Sequence, residues 1–387
     1  MRTKPTIMLI GLGGLGSIVL EMLAQEEGLG QIIVGSRNAA RGMARCNLAR
    51  LGATAQGYAP DIRFVPLDLN DKEAVAETVR REAPDVIFST ATMQTWWLPD
   101  LLPPEQAEII KGAGFGVWLS VHLTLTLKLM EALRDANYRG ITFTAPYPDV
   151  VNCVLGHLGL APTCGVGNVA EMASKVRLLA AERLAVSPDA VRVLLVAHHA
   201  LWSAVFGAGD RSETFAQRGT PPYFLRVEYG GQDVTEAIHA DELLLSPYPL
   251  PSGPATHFLT ASCIVRLMRA LLSDSETLLH APAPNGLPGG YPIVASSGGV
   301  RPAPINGLTL AEAIAINARS HRLDGIERIE ADGTVVFCPE SASVLRRELG
   351  YDCDPLAPHE SEERAKELMA RFREYAERYG VNLERNA

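Results

Sequence analysis

The chain has 387 residues, 47% of them hydrophobic and 20% charged, with 35 basic against 44 acidic side chains and a net charge of −9. A length of this order fits two domains, with ample apolar material for a core. The acidic balance and the lack of any Lys/Arg run exclude a nucleic-acid partner, which needs clustered cations to meet phosphates.

The six cysteines are scattered and form no C-x-x-C pair. They predict reduced thiols in a cytoplasm rather than a disulfide framework or a zinc ribbon. The longest uncharged stretch, residues 112–127, contains Gly and His and is shorter than the roughly 20 apolar residues of a bilayer span. The N-terminus runs directly into a strand with no leader-like segment. A cytoplasmic protein with no membrane partner is expected.

Residues 6–10 read as a strand, followed by Gly11-Leu12-Gly13-Gly14-Leu15-Gly16 and a helix over 17–25. Strand, glycines and helix in this order form a dinucleotide-binding turn. Gly11 permits the tight turn, Gly13 lets the backbone approach a pyrophosphate, and Gly16 lets the helix pack close to the strand. Gly14 and Leu15 complete the turn, and the helix start offers free N–H groups and partial positive charge.

A second strand, 31–35, ends at Gly35-Ser36-Arg37-Asn38. An NAD site usually has a carboxylate there for the ribose 2′-OH. Here Ser36, Arg37 and Asn38 offer a hydroxyl, a guanidinium and an amide instead, which favours NADP over NAD. A third strand, 61–67, runs into Asp68 and Leu69, either adenine contacts or, for Asp68, a cap on the next helix. A helix over 72–82 leads to a fourth strand, 84–88, whose end carries Thr90 and Ala91 beside the expected ribose and nicotinamide. Helices over 107–112 and 123–135 and a strand over 141–144 complete an alternation that predicts a doubly wound parallel sheet.

The pattern changes after residue 148. A helix over 149–158, a long helix over 169–184 and a strand over 191–196 lead into His198 and His199. Residues 207–254 are loop-rich, with a strand pair around 223–234. A helix over 257–272, a Gly/Pro-dense stretch over 281–304, a helix from 310 and a hairpin turning on Asp332-Gly333 follow. The closing charged helix, 361–379, reads as a solvated or subunit-packing helix.

The segment 146–202, PYPDVVNCVLGHLGLAPTCGVGNVAEMASKVRLLAAERLAVSPDAVRVLLVAHHALW, resembles the lactate/malate dehydrogenase superfamily and its relatives, the family 4 NAD-dependent glycosidases. The shared features are an Asn-Pro-Val-Asp-like turn, a Gly-rich turn, a long helix ending in an Ala-Glu-Arg-Leu-like stretch, and a strand ending at a catalytic His. The SRN and PLDLND segments are also similar to saccharopine-dehydrogenase-like reductases. The resemblance implies a Rossmann domain over 1–148, an α+β substrate domain over 149–387, and a homodimer or homotetramer.

His199 falls on the catalytic position, and an imidazole is suited to moving the proton that accompanies a hydride transfer. His198 is its neighbour, pointing to the opposite face of the strand. Lys175 stands where the dehydrogenases carry the Arg that grips a substrate carboxylate, and a lysine cannot make that bidentate fork. Met172 stands at the position of the Asp that orients the His, with Glu171 beside it, although Asn168-x-x-Glu171 also reads as a capping box.

The loop 93–99 has no Arg but carries Trp96 and Trp97, which point to a flatter or more apolar substrate than a 2-keto acid. Asn168, Glu171 and Trp202 are further candidate substrate contacts. Gly167 occupies the metal-binding Cys position of the glycosidases and Cys164 is displaced from it, so no metal is expected. His122 is a weaker catalytic candidate. The expected activity is hydride transfer between NADP(H) and a small polar hydroxy/keto or amino/imino compound. The alternatives are a redox-assisted, glycosidase-like lyase and a non-catalytic NADP sensor.

Overall fold

The computed structural model describes residues 4–207, 219–251 and 253–383. Its first half is built on a parallel sheet of β1 (Ile7–Ile10), β2 (Gln31–Ser36), β3 (Asp61–Pro66), β4 (Val86–Ser89), β5 (Ile141–Thr144) and β6 (Cys164–Gly165). The spatial order is β3-β2-β1-β4-β5-β6, and each pairing is parallel. β1 and β4, buried on both faces, are short continuous apolar runs (IMLI and VIFS), as strands covered by helices on both sides must be. Ile10 is level with both Gly35 and Ser89, so the carboxyl ends of β2, β1 and β4 share one edge. The strand order reverses at β1, which opens a crevice at that edge.

The helices of this half are α1 (Gly14–Leu23), α2 (Ala39–Ala55), α3 (Lys72–Glu82), α4 (Pro104–Lys111) and α5 (Leu119–Asp135). α2 has no counterpart among the predicted elements. Its buried residues are Gly42, Cys46, Ala49 and Ala53, a stripe too small and weakly apolar to register as a helical face. Small size is what the position needs, because a β-carbon on Gly42 would lie 2.1 Å from the Phe64 ring.

The second half holds α6 (Pro148–His157), α7 (Val169–Leu184), β7 (Val191–Ala197), α8 (Trp202–Phe206), β8 (Tyr223–Tyr229), β9 (Gln232–Asp233), α9 (Ala240–Leu245) and α10 (His257–Leu271). β10 (Thr277–Pro282), β11 (Gly290–Ser296), β12 (Gly299–Pro302) and α11 (Leu310–Ser320) follow. A second sheet, antiparallel throughout, runs β10-β11-β7-β8-β9, with β12 on β11. β13 (Ile326–Ile329) and β14 (Val335–Phe337) form the expected hairpin, and α12 (Pro339–Leu349) and α13 (Ser361–Arg378) close the chain.

The two halves interlock. β6 joins the parallel sheet from beyond residue 148. The closing helix corrects the expectation of a solvated or subunit-packing element. Leu368, Phe372 and Tyr375 of α13 are buried in one core with Leu129 and Leu133 of α5, and Phe372 meets Trp118 edge-on at 5.0 Å. The apolar residues recur at helical spacing among the charges, so one face packs while the other meets water. Among the described residues no single helix is long and apolar enough to cross a membrane.

Candidate active site

The glycine turn sits at the carboxyl end of β1. Gly11 has φ +94°, and a β-carbon there would lie 2.8 Å from Thr90 Oγ1. Thr90 Oγ1 in turn donates to Gly11 O at 3.0 Å, tying β4 to the turn. A β-carbon on Gly16 would meet Gly11 O at 2.1 Å, so α1 starts against the strand only because residue 16 is glycine. At Gly13, by contrast, a β-carbon would meet nothing within 4 Å, and Gly13 caps α1 with no side-chain hydrogen bond. The first amides of α1 thus have no capping side chain over an open space, which fits a diphosphate.

Beyond β4 and β5 lies an aromatic and acidic cluster around His199. The chain turns from β7 into a short 3-10 segment at His199, and the backbone N–H of His199 donates to Asp149 Oδ1 at 3.0 Å. Asp149 is fully buried in the first turn of α6, just after β5, and its other oxygen accepts from Asn168 Nδ2 at 2.6 Å. The ring Nδ1 stands 3.4 Å from Asp324 Oδ2, an ion-pair contact without hydrogen-bond geometry. Asp324 comes from the 3-10 turn after α11, and it also accepts from the Tyr147 hydroxyl and from the Phe115 amide. The Phe115 ring lies 5.0 Å from His199 and stacks at 5.2 Å on His122, whose Nδ1 is 2.9 Å from Thr92 Oγ1. His199 is therefore linked to the carboxyl ends of β4 and β5, beside the glycine turn.

The charges in this cluster are unequal. Burial pulls the His199 pKa down, but Asp324, Asp149 and Glu171 outweigh it and the net shift is upward. Burial works to raise the pKa of Asp324, yet His199, His198 and the Tyr147 hydroxyl hold it well below the ordinary carboxylate value. Burial raises the pKa of both Asp149 and Glu171. Burial and the neighbouring His199 lower that of His122 to about 3. The pattern favours the charged forms of Asp324 and His199 and biases the other groups toward neutrality. The His199 side chain is 25% exposed while its Nδ1 is shielded, which leaves the Nε2 side as the open edge.

Several predicted residues are placed otherwise. Lys175 is buried, and its Nζ donates to the carbonyls of Val205 (2.8 Å), Leu244 (2.7 Å) and Ser246 (2.6 Å). Burial lowers its pKa to about 8, while the three carbonyls favour the charged form, and no N–H remains for a substrate. Glu171 makes no capping box. It accepts from Trp202 Nε1 and Thr260 Oγ1, both at 2.6 Å, so Glu171 and Trp202 serve each other, and Met172 is core. Asn168 serves Asp149 with φ +42°.

His198 is fully buried. It accepts from Ala200 N at 3.1 Å and turns its ring to His321 at 4.9 Å. Trp97 packs on the core and Trp96 is exposed. Asn38 caps α2 through Arg41 N, and Asp68 closes a turn with Asn70 while Asp71 caps α3. Leu69 is core, whereas Ser36 and Arg37 end β2, with Arg37 exposed. All six cysteines are free.

Asp324, Asp149, Tyr147 and Phe115 did not stand out in the sequence. Only Tyr147 and Asp149 had a local signal, their place in the Asn-Pro-Val-Asp-like turn.

No protein-family model matches the chain, and no curated protein matches its sequence. Solved structures do match. The lactate dehydrogenase from Eimeria maxima with NADH and oxamate has a TM-score of 0.55 at 13% identity, over 82% of this chain and 91% of its own. The malate dehydrogenase from Plasmodium falciparum has 0.55 at 15%, over 95% and 99%. That from Cryptosporidium parvum has 0.55 at 17%, over 84% and 98%. The chain has the α/β Rossmann fold of the lactate and malate dehydrogenases over most of its length.

Proposed function

We propose that this protein is a nicotinamide-dinucleotide-dependent oxidoreductase in which His199 exchanges the proton that accompanies hydride transfer. The observation that carries this reading is the placement of the His199–Asp324 pair at the same sheet edge as the uncapped glycine turn. Lactate and malate dehydrogenases of this fold are solved with NADH, which supports the cofactor class.

A bound nicotinamide supplies or accepts the hydride at the carbon that is reduced or oxidised. Asp324 faces Nδ1 and favours the imidazolium, so Nε2 is the nitrogen that gives its proton to a carbonyl or imine, or takes one from an alcohol or amine. Phe115 and Tyr147 wall the ring and exclude water from its shielded side.

The absence of a carboxylate at Ser36-Arg37 supports NADP(H) over NAD(H), because an exposed guanidinium there can pair with a 2′-phosphate. Lys175 is already committed to three carbonyls, which supports a small polar hydroxy/keto or amino/imino substrate without a gripped carboxylate. Six free thiols fit a reducing cytoplasm. A homodimer or homotetramer completes the proposal and is checked by light scattering.

The test is direct. The protein should bind NADPH more tightly than NADH by titration, and His199→Ala should bind NADPH normally while losing turnover on any substrate found by screening. Full turnover in His199→Ala would remove the proposed mechanism.

A further inference from the structure

α1 and α10 lie side by side and point the same way. At one end His257, the first residue of α10, abuts Gly14, the first residue of α1; at the other, Arg269 in the last turn of α10 pairs with Glu26 just past α1, at 2.8 and 2.5 Å. Two parallel helices bring like partial charges together at both ends. At the carboxyl end the Arg269 guanidinium, paired with Glu26, answers this. At the amino end no side chain among the described residues caps either helix: neither Gly13 nor Thr256 makes a side-chain cap bond.

His257 stands at this joint and is 9% exposed, and its buried Nδ1 has no hydrogen-bond partner among the described residues. A β-carbon on Gly14 would lie 3.0 Å from that Nδ1 and 3.2 Å from Cε1. The dinucleotide fingerprint does not itself require Gly14, and a side chain there would press on the imidazole, which would have to give by a few tenths of an ångström. Burial holds the ring toward its neutral form, with one N–H to give.

We propose that His257 is a cofactor-binding residue: the imidazole and the α10 N-terminus meet the diphosphate held at the Gly11–Gly16 turn, so that the dinucleotide is bound by both halves of the chain. This rests on the reading of that turn as the dinucleotide site. Nδ1 is closed off against Gly14, so the N–H given to the diphosphate would be the one on Nε2, and the diphosphate would place negative charge where two helix starts converge.

The experiment is calorimetric titration of the full chain and of H257L and H257Q with two probes, after thermal melts have confirmed folding. NADPH carries the diphosphate; adenosine 2′-monophosphate shares the adenosine and the 2′-phosphate but lacks it. H257L should weaken NADPH about tenfold or more and leave adenosine 2′-monophosphate unchanged, with H257Q retaining much of the NADPH affinity through its amide N–H. Unchanged NADPH affinity in H257L would overturn the role of His257 alone. Equal weakening of both probes would also overturn it, because the residue would then act through the fold. Failure of the unaltered chain to bind NADPH or NADH would overturn the dinucleotide reading itself, and this proposal with it. If H257L does not fold, H257Q decides: an N–H donor that keeps affinity supports the role, and a loss shared by both probes overturns it.

Discussion

His199 turns its Nδ1 toward Asp324 at 3.4 Å while Asp149 holds its backbone N–H at 3.0 Å. One carboxylate thus faces the ring and the other fixes the main chain from which the ring projects. Main-chain position and ring charge are set separately, by residues from two different segments of the chain.

Replacing Asp324 by Asn keeps the shape and removes the anion that favours the imidazolium. Turnover should fall by about 10²-fold or more, the usual worth of a positioned acid/base group. As a positioning residue, Asp324 should also move the pH profile: the limb assigned to His199 should shift to lower pH in D324N. A stopped-flow pH series checks this, and a fall in rate with an unmoved limb would mean that Asp324 only supports the fold.

The upward shift of His199 sets the direction of pH dependence. Reduction needs the imidazolium, so its rate should fall as pH rises through the raised pKa, and oxidation should show the opposite limb. The same charge contributes to stability. That contribution is complete below the unfolded value of 6.5 and is lost as pH rises through the higher folded value. Denaturant midpoints of the parent and H199Q should converge above that pH.

Arg37→Ala removes the exposed cation at the end of β2. NADPH affinity should fall by roughly 10-fold or more, the worth of a charge-assisted hydrogen bond, with NADH affinity unchanged. Equal effects on both cofactors would remove the case for NADP.

Lys175→Met should cost stability rather than substrate affinity. Three buried carbonyls lose their donor, at about 1–3 kcal/mol for a buried group left unsatisfied. The melting temperature should drop and the KM of a remaining folded fraction should not move. A raised KM without destabilisation would return Lys175 to the substrate.

The parallel sheet and the glycine turn were legible because both are local patterns. Alternating strands and helices predict a parallel sheet, and the turn needs only six consecutive residues. His199 was legible as the end of a strand in a long resembling segment. Its partner was not, since Asp324 lies on a 3-10 turn far along the chain, where no periodicity marks it. Glu171 shows the reverse fault. Asn168-x-x-Glu171 is a valid local capping pattern, but two tertiary donors, Trp202 and Thr260, hold the carboxylate instead. Lys175 was read from its aligned position, whereas its environment is three carbonyls that only the folded chain assembles.

The burial of α13 against α5 bears on how the molecule is made. Synthesis delivers the parallel-sheet half first, yet the helix that covers α5 follows long after it. Until it arrives, the apolar face around Trp118, Leu129 and Leu133 stays wet, and β6 has yet to join its sheet when residue 148 emerges. The first half is therefore not a module that matures alone. A fragment cut at residue 148 should be sticky and prone to chaperone capture, because its glycine turn would stand on an unfinished core.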